Sequence, residues 1–178
     1  STPGQTGGGP AAEHCYTTGL LYHYYLTGAA SSREAVLQLA GWMRDMHEGR
    51  GGLLEQLLTV KKQDLPKLQA LLRGDRPTAH IYPFTRGTGN YLNAMLDAWQ
   101  LQPDYDWLSL TEKVIRQTIH PADNIEKRGL LDVETGWSYL VLLISISRYL
   151  WLKARMDQID ENYRYAREAM VHYTRWML

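Results

Sequence analysis

Between Glu134 and Lys153 the chain reads Glu-Thr-Gly-Trp-Ser-Tyr-Leu-Val-Leu-Leu-Ile-Ser-Ile-Ser-Arg-Tyr-Leu-Trp-Leu-Lys, the one stretch whose apolar residues go all the way round a helix. A helix of that kind has to be buried on every side. No charge occurs from Trp137 to Ser147, yet Arg148 interrupts the run well short of the roughly 20 apolar residues that a membrane span needs. The stretch is therefore expected to be a central helix with other helices packed around it.

A chain of 178 residues is most simply one domain, large enough to bury about 70% of the surface its unfolded form exposes. Lysine plus arginine equal aspartate plus glutamate at 19 each, so no overall field draws in nucleic acid or an anionic membrane, and neither partner is expected. Lys61-Lys62 and Arg164, Arg167 and Arg175 are too scattered to form a nucleic-acid stripe. The single Cys15 excludes an internal disulfide and a cysteine-rich zinc site. Glu13-His14-Cys15 with His23 does not read as a metal site either, because adjacent residues splay apart on a helix. No metal and no cofactor is expected, and serine-nucleophile and phosphate-loop signatures are absent. Twelve Tyr and six Trp stand against one Phe. Rings with a polar tip suit either a core that opens onto a wet cavity or helix faces half in water.

Residues 1–12 carry glycine and proline without periodicity and read as a flexible lead-in to a single domain at 13–178. From Glu13 to Thr27, Tyr16, Leu20, Leu21, Tyr24 and Tyr25 fall at helical spacing, and Thr27-Gly28 is a stop. Ser31-Ser32-Arg33-Glu34 has the pattern of a capping box, followed by a stripe at Ala35, Val36, Leu39, Trp42, Met43 and Met46. Residues 49–78, with a glycine cluster and one amphipathic helix around Leu65 to Leu72, read as a long excursion. A third helix has its stripe at Tyr91, Leu92, Met95, Ala98 and Trp99. Pro103-Asp104 breaks it and caps a fourth from Asp104 to Ile119. After the apolar stretch, Asp157 caps a sixth, with Ile159, Tyr163, Ala166, Met170, Tyr173 and Met177 at alternating steps of four and three. No segment holds a strand period with hairpin turns, so the fold class is all-α.

Three times a helix is followed by a short break and a returning helix: Glu13 to Met46, Asn90 to Ile119, and Glu134 to Met177. No such hairpin buries its apolar face alone, so hairpins stack. The expected architecture is a set of antiparallel helical hairpins forming an α/α-toroid-like arc or bundle, with the first, third and fifth helices on the inside.

Glu13-His14-x-x-Thr17-x-Gly19-Leu20-Leu21-x-x-Tyr24-x-Leu26-Thr27-Gly28, with Arg86-Gly87-Thr88-Gly89-Asn90 opening a later inner helix, resembles the α/α-toroid, or six-hairpin, carbohydrate-active superfamily. The resemblance implies a funnel-shaped site at the mouth of the inner helices, where glycosidases and polysaccharide lyases of this class hold a glycan with aromatic platforms and carboxylates. Three hairpins are half of six. The chain is then an arc of a larger toroid, a smaller bundle, or a half that pairs with a second copy.

If the inner helices run in the same sense, their entrances converge. That would bring together Glu13 and His14, then His80, Tyr82 and Arg86, then Asp132, Glu134 and Trp137. Glycoside hydrolysis needs two carboxyl groups flanking the scissile bond. Glu13 and Glu134 are the candidate pair, and His14 a candidate general acid or base. His80, Tyr82, Arg86, Asn90, Asp132 and Trp137 are the candidate substrate-binding residues. The competing reading of Glu13 and Glu134 is that acids in a helix's first turn complement its dipole. Arg86 to Asn90 suits either an anion held on backbone N–H groups or glycines that let helices pack closely. As an alternative to carbohydrate chemistry, the chain is a non-catalytic helical-hairpin module, a protein-interaction or structural part of a larger protein.

Overall fold

The computed structural model describes residues 12–48, 81–132 and 139–178. Within them lie six α-helices: α1 (Thr18–Thr27), α2 (Ala30–Glu48), α3 (Arg86–Leu101), α4 (Trp107–Arg116), α5 (Tyr139–Arg155) and α6 (Glu161–Met177). Single 3-10 turns occur at Ala12–His14 and Glu126–Arg128, and no strand occurs among the described residues. No described helix is long and apolar enough to cross a membrane. The glycine cluster at Gly49, Gly51 and Gly52 and the helix expected around Leu65 to Leu72 lie outside the described residues.

The chain is all-α and built from antiparallel hairpins, α1 with α2, α3 with α4, and α5 with α6. Side-chain pairs give the sense of each layer. Asn93 meets Ser145 and Asp97 meets Arg148, so α3 and α5 run parallel. Glu13 meets Asn90 while Thr17 and Thr18 meet Asp97, so the α1 strand of chain runs the same way. Arg44 meets Tyr105 and Glu48 meets Lys113, which makes α2 and α4 parallel to each other in a second layer. Inner helices thus share one direction and return helices the opposite one.

The centre of this arrangement is α3, not the apolar stretch from Glu134 to Lys153. α3 packs against α1, α2, α4 and α5, and from Gly87 to Trp99 only Asn93 escapes full burial. α5 buries Leu142, Leu143, Ile146, Tyr149 and Leu152 but leaves Leu140 45%, Ile144 66% and Trp151 55% exposed. The expectation of all-round burial for α5 fails because, among the described helices, only α3 has inner neighbours on both flanks. Hydrophobicity all round a helix says that it wants covering; position in the layer says whether it is covered.

Gly89 is where α3 and α5 come closest. A Cβ placed there would sit 3.0 Å from the backbone N and Cα of Leu142, atoms that cannot rotate away. Of the two readings of the Arg86 to Asn90 glycines, close packing is therefore the one Gly89 serves. Gly89→Ala is expected to force the two helices apart and cost about 1 to 3 kcal/mol, as overpacking does. Urea unfolding would report it, and a loss below a few tenths would mean that the helices separate without penalty.

Helix ends differ from their expected places in instructive ways. Thr27-Gly28 does stop α1, with Gly28 at φ 72° and its N–H donating to the Tyr24 carbonyl at 2.8 Å. The expected capping box is already inside α2, which starts at Ala30, and Ser32 instead bonds His23 of α1 at 2.8 Å. α4 starts at Trp107, not at Asp104. α6 is capped by Asp160, which accepts from the Tyr163 N–H at 2.9 Å, not by Asp157. The expected α6 stripe holds at Ala166 and Tyr173, whereas Ile159 and Met177 are largely exposed.

Asp157 has a different task. It takes φ 56° just past α5, with its N–H donating to the Ala154 carbonyl and the Gln158 N–H to the Lys153 carbonyl. That is the Schellman ending, which normally uses glycine at the left-handed position. Asp157→Gly is expected to raise stability by about 0.5 to 1 kcal/mol, because an L side chain is strained there. A lower melting temperature for this variant would contradict that account.

Candidate functional site

At the entrance of α3, four of the expected site residues meet. The Asn90 Nδ2 donates to the backbone carbonyl of Glu13 at 2.7 Å and so fastens the Ala12–His14 turn onto α3. Gly87 provides the floor: a Cβ there would lie 3.3 Å from the Glu13 Cγ. Nη2 of Arg86 donates to Glu13 Oε2 at 3.2 Å and lies 3.4 Å from His14 Nε2. The Glu13 side chain remains 64% exposed while that of Arg86 is 19% exposed, so a carboxylate and an imidazole sit in solvent on a half-buried guanidinium. A carboxylate held by arginine is fixed by a charge-assisted bond, which orients it without enclosing it.

The remaining expected residues divide in two. Tyr82 is not in this cluster. Its ring is 3% exposed in the core and its hydroxyl donates to Glu48, so it ties α2 to the approach of α3 and is not available as a platform. Burial, and then the Glu48 carboxylate, push its hydroxyl pKa well above the usual range. Asp132 is exposed after the Glu126–Arg128 turn, its N–H donating to the Gly129 carbonyl. His80, Glu134 and Trp137 lie outside the described residues. Asn90 is 2% exposed, which makes it a positioning residue for Glu13. Glu13 occupies a 3-10 turn ahead of α1, not the first turn of that helix, so the reading of it as an acid complementing the α1 dipole does not apply, and Glu134 lies outside the described residues. Burial pushes the Cys15 thiol up, which disfavours a thiolate nucleophile beside this cluster.

Aromatic rings stand at the same end of the layer. Phe84, two residues before α3, lies 6.4 Å from Tyr139 at the start of α5 and stacks at 5.1 Å on Tyr173. The Arg128 guanidinium sits 4.7 Å over the Phe84 ring. At the opposite end of α3, an open groove of about 550 Å³ is lined by Trp99, Asp104, Tyr105, Asp106 and Met156. No expected site residue lines it.

Below the Glu13 cluster is a polar network that the sequence reading missed. Asp97, fully buried, accepts from Thr17 at 2.6 Å, from Thr18 at 2.9 Å and from Arg148. Arg148 also donates to Thr18 at 3.1 Å and to Asn93 at 3.3 Å, and Asn93 donates to Ser145 at 2.9 Å. The network joins all three inner helices. Its signal in the sequence is one charge in each of two apolar runs, Asp97 within Met95 to Trp99 and Arg148 within Leu140 to Leu152. A lone charge in such a run has to find a partner.

No family model, curated protein or solved structure matches the chain.

Proposed function

We propose that the chain is a carbohydrate-active domain of glycoside hydrolase or polysaccharide lyase type, with its glycan at the mouth of the inner helices. The observation that carries this reading is the Glu13, His14 and Arg86 cluster, an exposed carboxylate and imidazole fixed on an arginine where parallel inner helices begin. Sugar hydroxyls are recognised by such charged donors and acceptors, and proton transfer to or from oxygen is work for a carboxyl group or an imidazole. Phe84 and Tyr139 lie at the same end. In this reading Glu13 is one of the two carboxyl groups the chemistry needs, Glu134 the proposed second, and Trp137 an apolar platform. The resemblance to the six-hairpin carbohydrate-active superfamily supports the same assignment.

The test is a screen of wild-type protein against a broad set of neutral and acidic glycans, then Glu13→Gln and Glu134→Gln. Each variant is expected to lower kcat/KM on the cleaved glycan by about 100-fold or more, the usual scale for a lost acid or base, with the melting temperature unchanged. The proposal is abandoned if the wild type cleaves nothing in the screen, or if neither variant alters turnover. The second reading, a non-catalytic hairpin module, is favoured by the uncovered apolar faces of α1 and α5. A stable partner whose binding survives both substitutions would establish it.

A further inference from the structure

We propose that the groove at the far end of α3 receives a basic segment of a partner protein, with an arginine or lysine side chain laid along it and its charge met by Asp104 and Asp106. The groove, of about 550 Å³, lies where α3 ends, α4 begins and the chain leaves α5. Trp99, Pro103, Leu108 and Met156 give it an apolar lining. A second hollow of about 400 Å³ shares Pro103, Asp104 and Tyr105 with it, so the depression is a trough that suits a stretch of chain. The tight link from α3 to α4 shapes it. Tyr105 donates its N–H to the Gln102 carbonyl at 3.2 Å, and the residue, 46% exposed, lines both hollows.

Charge identifies the occupant. Asp104 and Asp106 are exposed, and neither side chain has a hydrogen bond or ion pair among the described residues. Asp106 stands at the cap position of α4 without bonding it, where an aspartate ordinarily accepts from the first-turn amides. Asp157, between the lining residues Met156 and Gln158, is a third exposed carboxylate with no partner among the described residues. No lysine or arginine among the described residues lines either hollow. A chain without net charge thus has a cleft of a single sign, which draws in cations. The Tyr105 ring already attracts a guanidinium from within the chain, since Arg44 lies 5.9 Å from its centre. Asp45 answers the Arg44 charge at 2.9 Å, so Asp104 and Asp106 stay open. Arginine and lysine carry a charged head on an apolar stem, which matches an apolar lining with an acidic rim. A bare metal ion would leave that lining unused and would find no third ligating side chain among the described residues. The groove shares no residue with the Glu13 cluster, and its occupant does not depend on what the Glu13 mouth binds.

The experiment titrates the isotope-labelled 178-residue chain with a capped tri-arginine peptide and, in parallel, with spermidine, which carries the same charge, while amide signals are followed by NMR. The peptide is expected to shift the amides of residues 99–109 and 156–158 first, and to bind more weakly as salt rises. Asp104→Asn combined with Asp106→Asn changes only exposed side chains, so the helical circular dichroism is expected to stay. This double variant should raise the dissociation constant of the peptide by about tenfold. Glu126→Gln, at an exposed acid outside the groove, should leave it unchanged. No shift at millimolar peptide, shifts spread evenly over other acidic surfaces, or an unchanged dissociation constant in the double variant overturns the proposal. So does spermidine binding the groove as tightly as the peptide, which would make the occupant a free polyamine and not a protein segment.

Discussion

Asp97→Ala is expected to be the most damaging single substitution in the inner layer, lowering stability by about 3 to 5 kcal/mol, the scale for removing one partner of a buried pair. Asp97 is fully buried, and Arg148 keeps 18% of its side chain exposed. Removing the carboxylate leaves a half-buried guanidinium with Thr18 and Asn93 as its remaining acceptors among the described residues, and leaves the Thr17 and Thr18 hydroxyls without theirs. For a chain of this length, the loss corresponds to a fall of roughly 10 °C or more in melting temperature. Asp97→Asn retains the shape and one acceptor and should cost clearly less. The informative measurement is the Asp97→Ala, Arg148→Met double variant. If removing both charges restores most of the stability, the damage came from the orphaned arginine. If the double variant is as unstable as the sum of the single ones, the pair is not coupled as described.

A loss of similar size is expected for Lys153→Ala. Lys153 is 1% exposed at the end of α5, and its ammonium donates to Glu112 of α4 at 2.6 Å and to Asp160, the cap of α6. Glu112 also accepts from Tyr149 at 2.9 Å and from Asn162 at 2.7 Å, so one cation holds three helices through two carboxylates. Truncation removes the charge, leaves Glu112 half-buried without its cation, and opens a cavity the size of a propylamine chain. About 3 to 5 kcal/mol follows from these terms. Chemical denaturation checks it, and a loss under about 1 kcal/mol would show that water enters and replaces the ammonium. The pH dependence has a definite sign. Burial acts to raise the Asp160 pKa, but the hydrogen bonds from Lys153 and from the Tyr163 and Asn162 amides prevail and hold it below the ordinary aspartate range. A carboxyl group with a lowered pKa in the folded state stabilises above its unfolded value and loses that contribution as pH falls through the folded one. Acid destabilisation below about pH 4 is therefore expected to be weaker in Asp160→Asn than in wild type.

Four of the nine expected site residues come together, and these four were legible in the chain because they belong to helix entrances. Glu13, His14, Arg86 and Asn90 come together since the first and third helices are parallel and in register, and helical spacing alone brings their starts to one end. Tyr82 could not be placed that way. It precedes α3 in an irregular segment, and whether its ring points out to a ligand or in to Glu48 depends on the helices packed around it. The Asp97 to Arg148 pair spans 51 positions of sequence. Each residue alone is only an unexplained charge in an apolar run, and only packing shows that they answer each other.

What the amino-acid order alone determined is the local and periodic part: helices without strands, three helix-and-return units, the stop at Gly28, and which helices are apolar enough to demand cover. Those follow from the 3.6-residue repeat and from backbone preferences, which act over a few residues. Tertiary structure decided which of two apolar helices is central. α3 and α5 both have core composition, but α3 has inner neighbours on each flank and α5 on one, so Ile144 and Trp151 face outward. Burial is a property of what surrounds a residue, and the surroundings of α5 are set by helices distant in sequence.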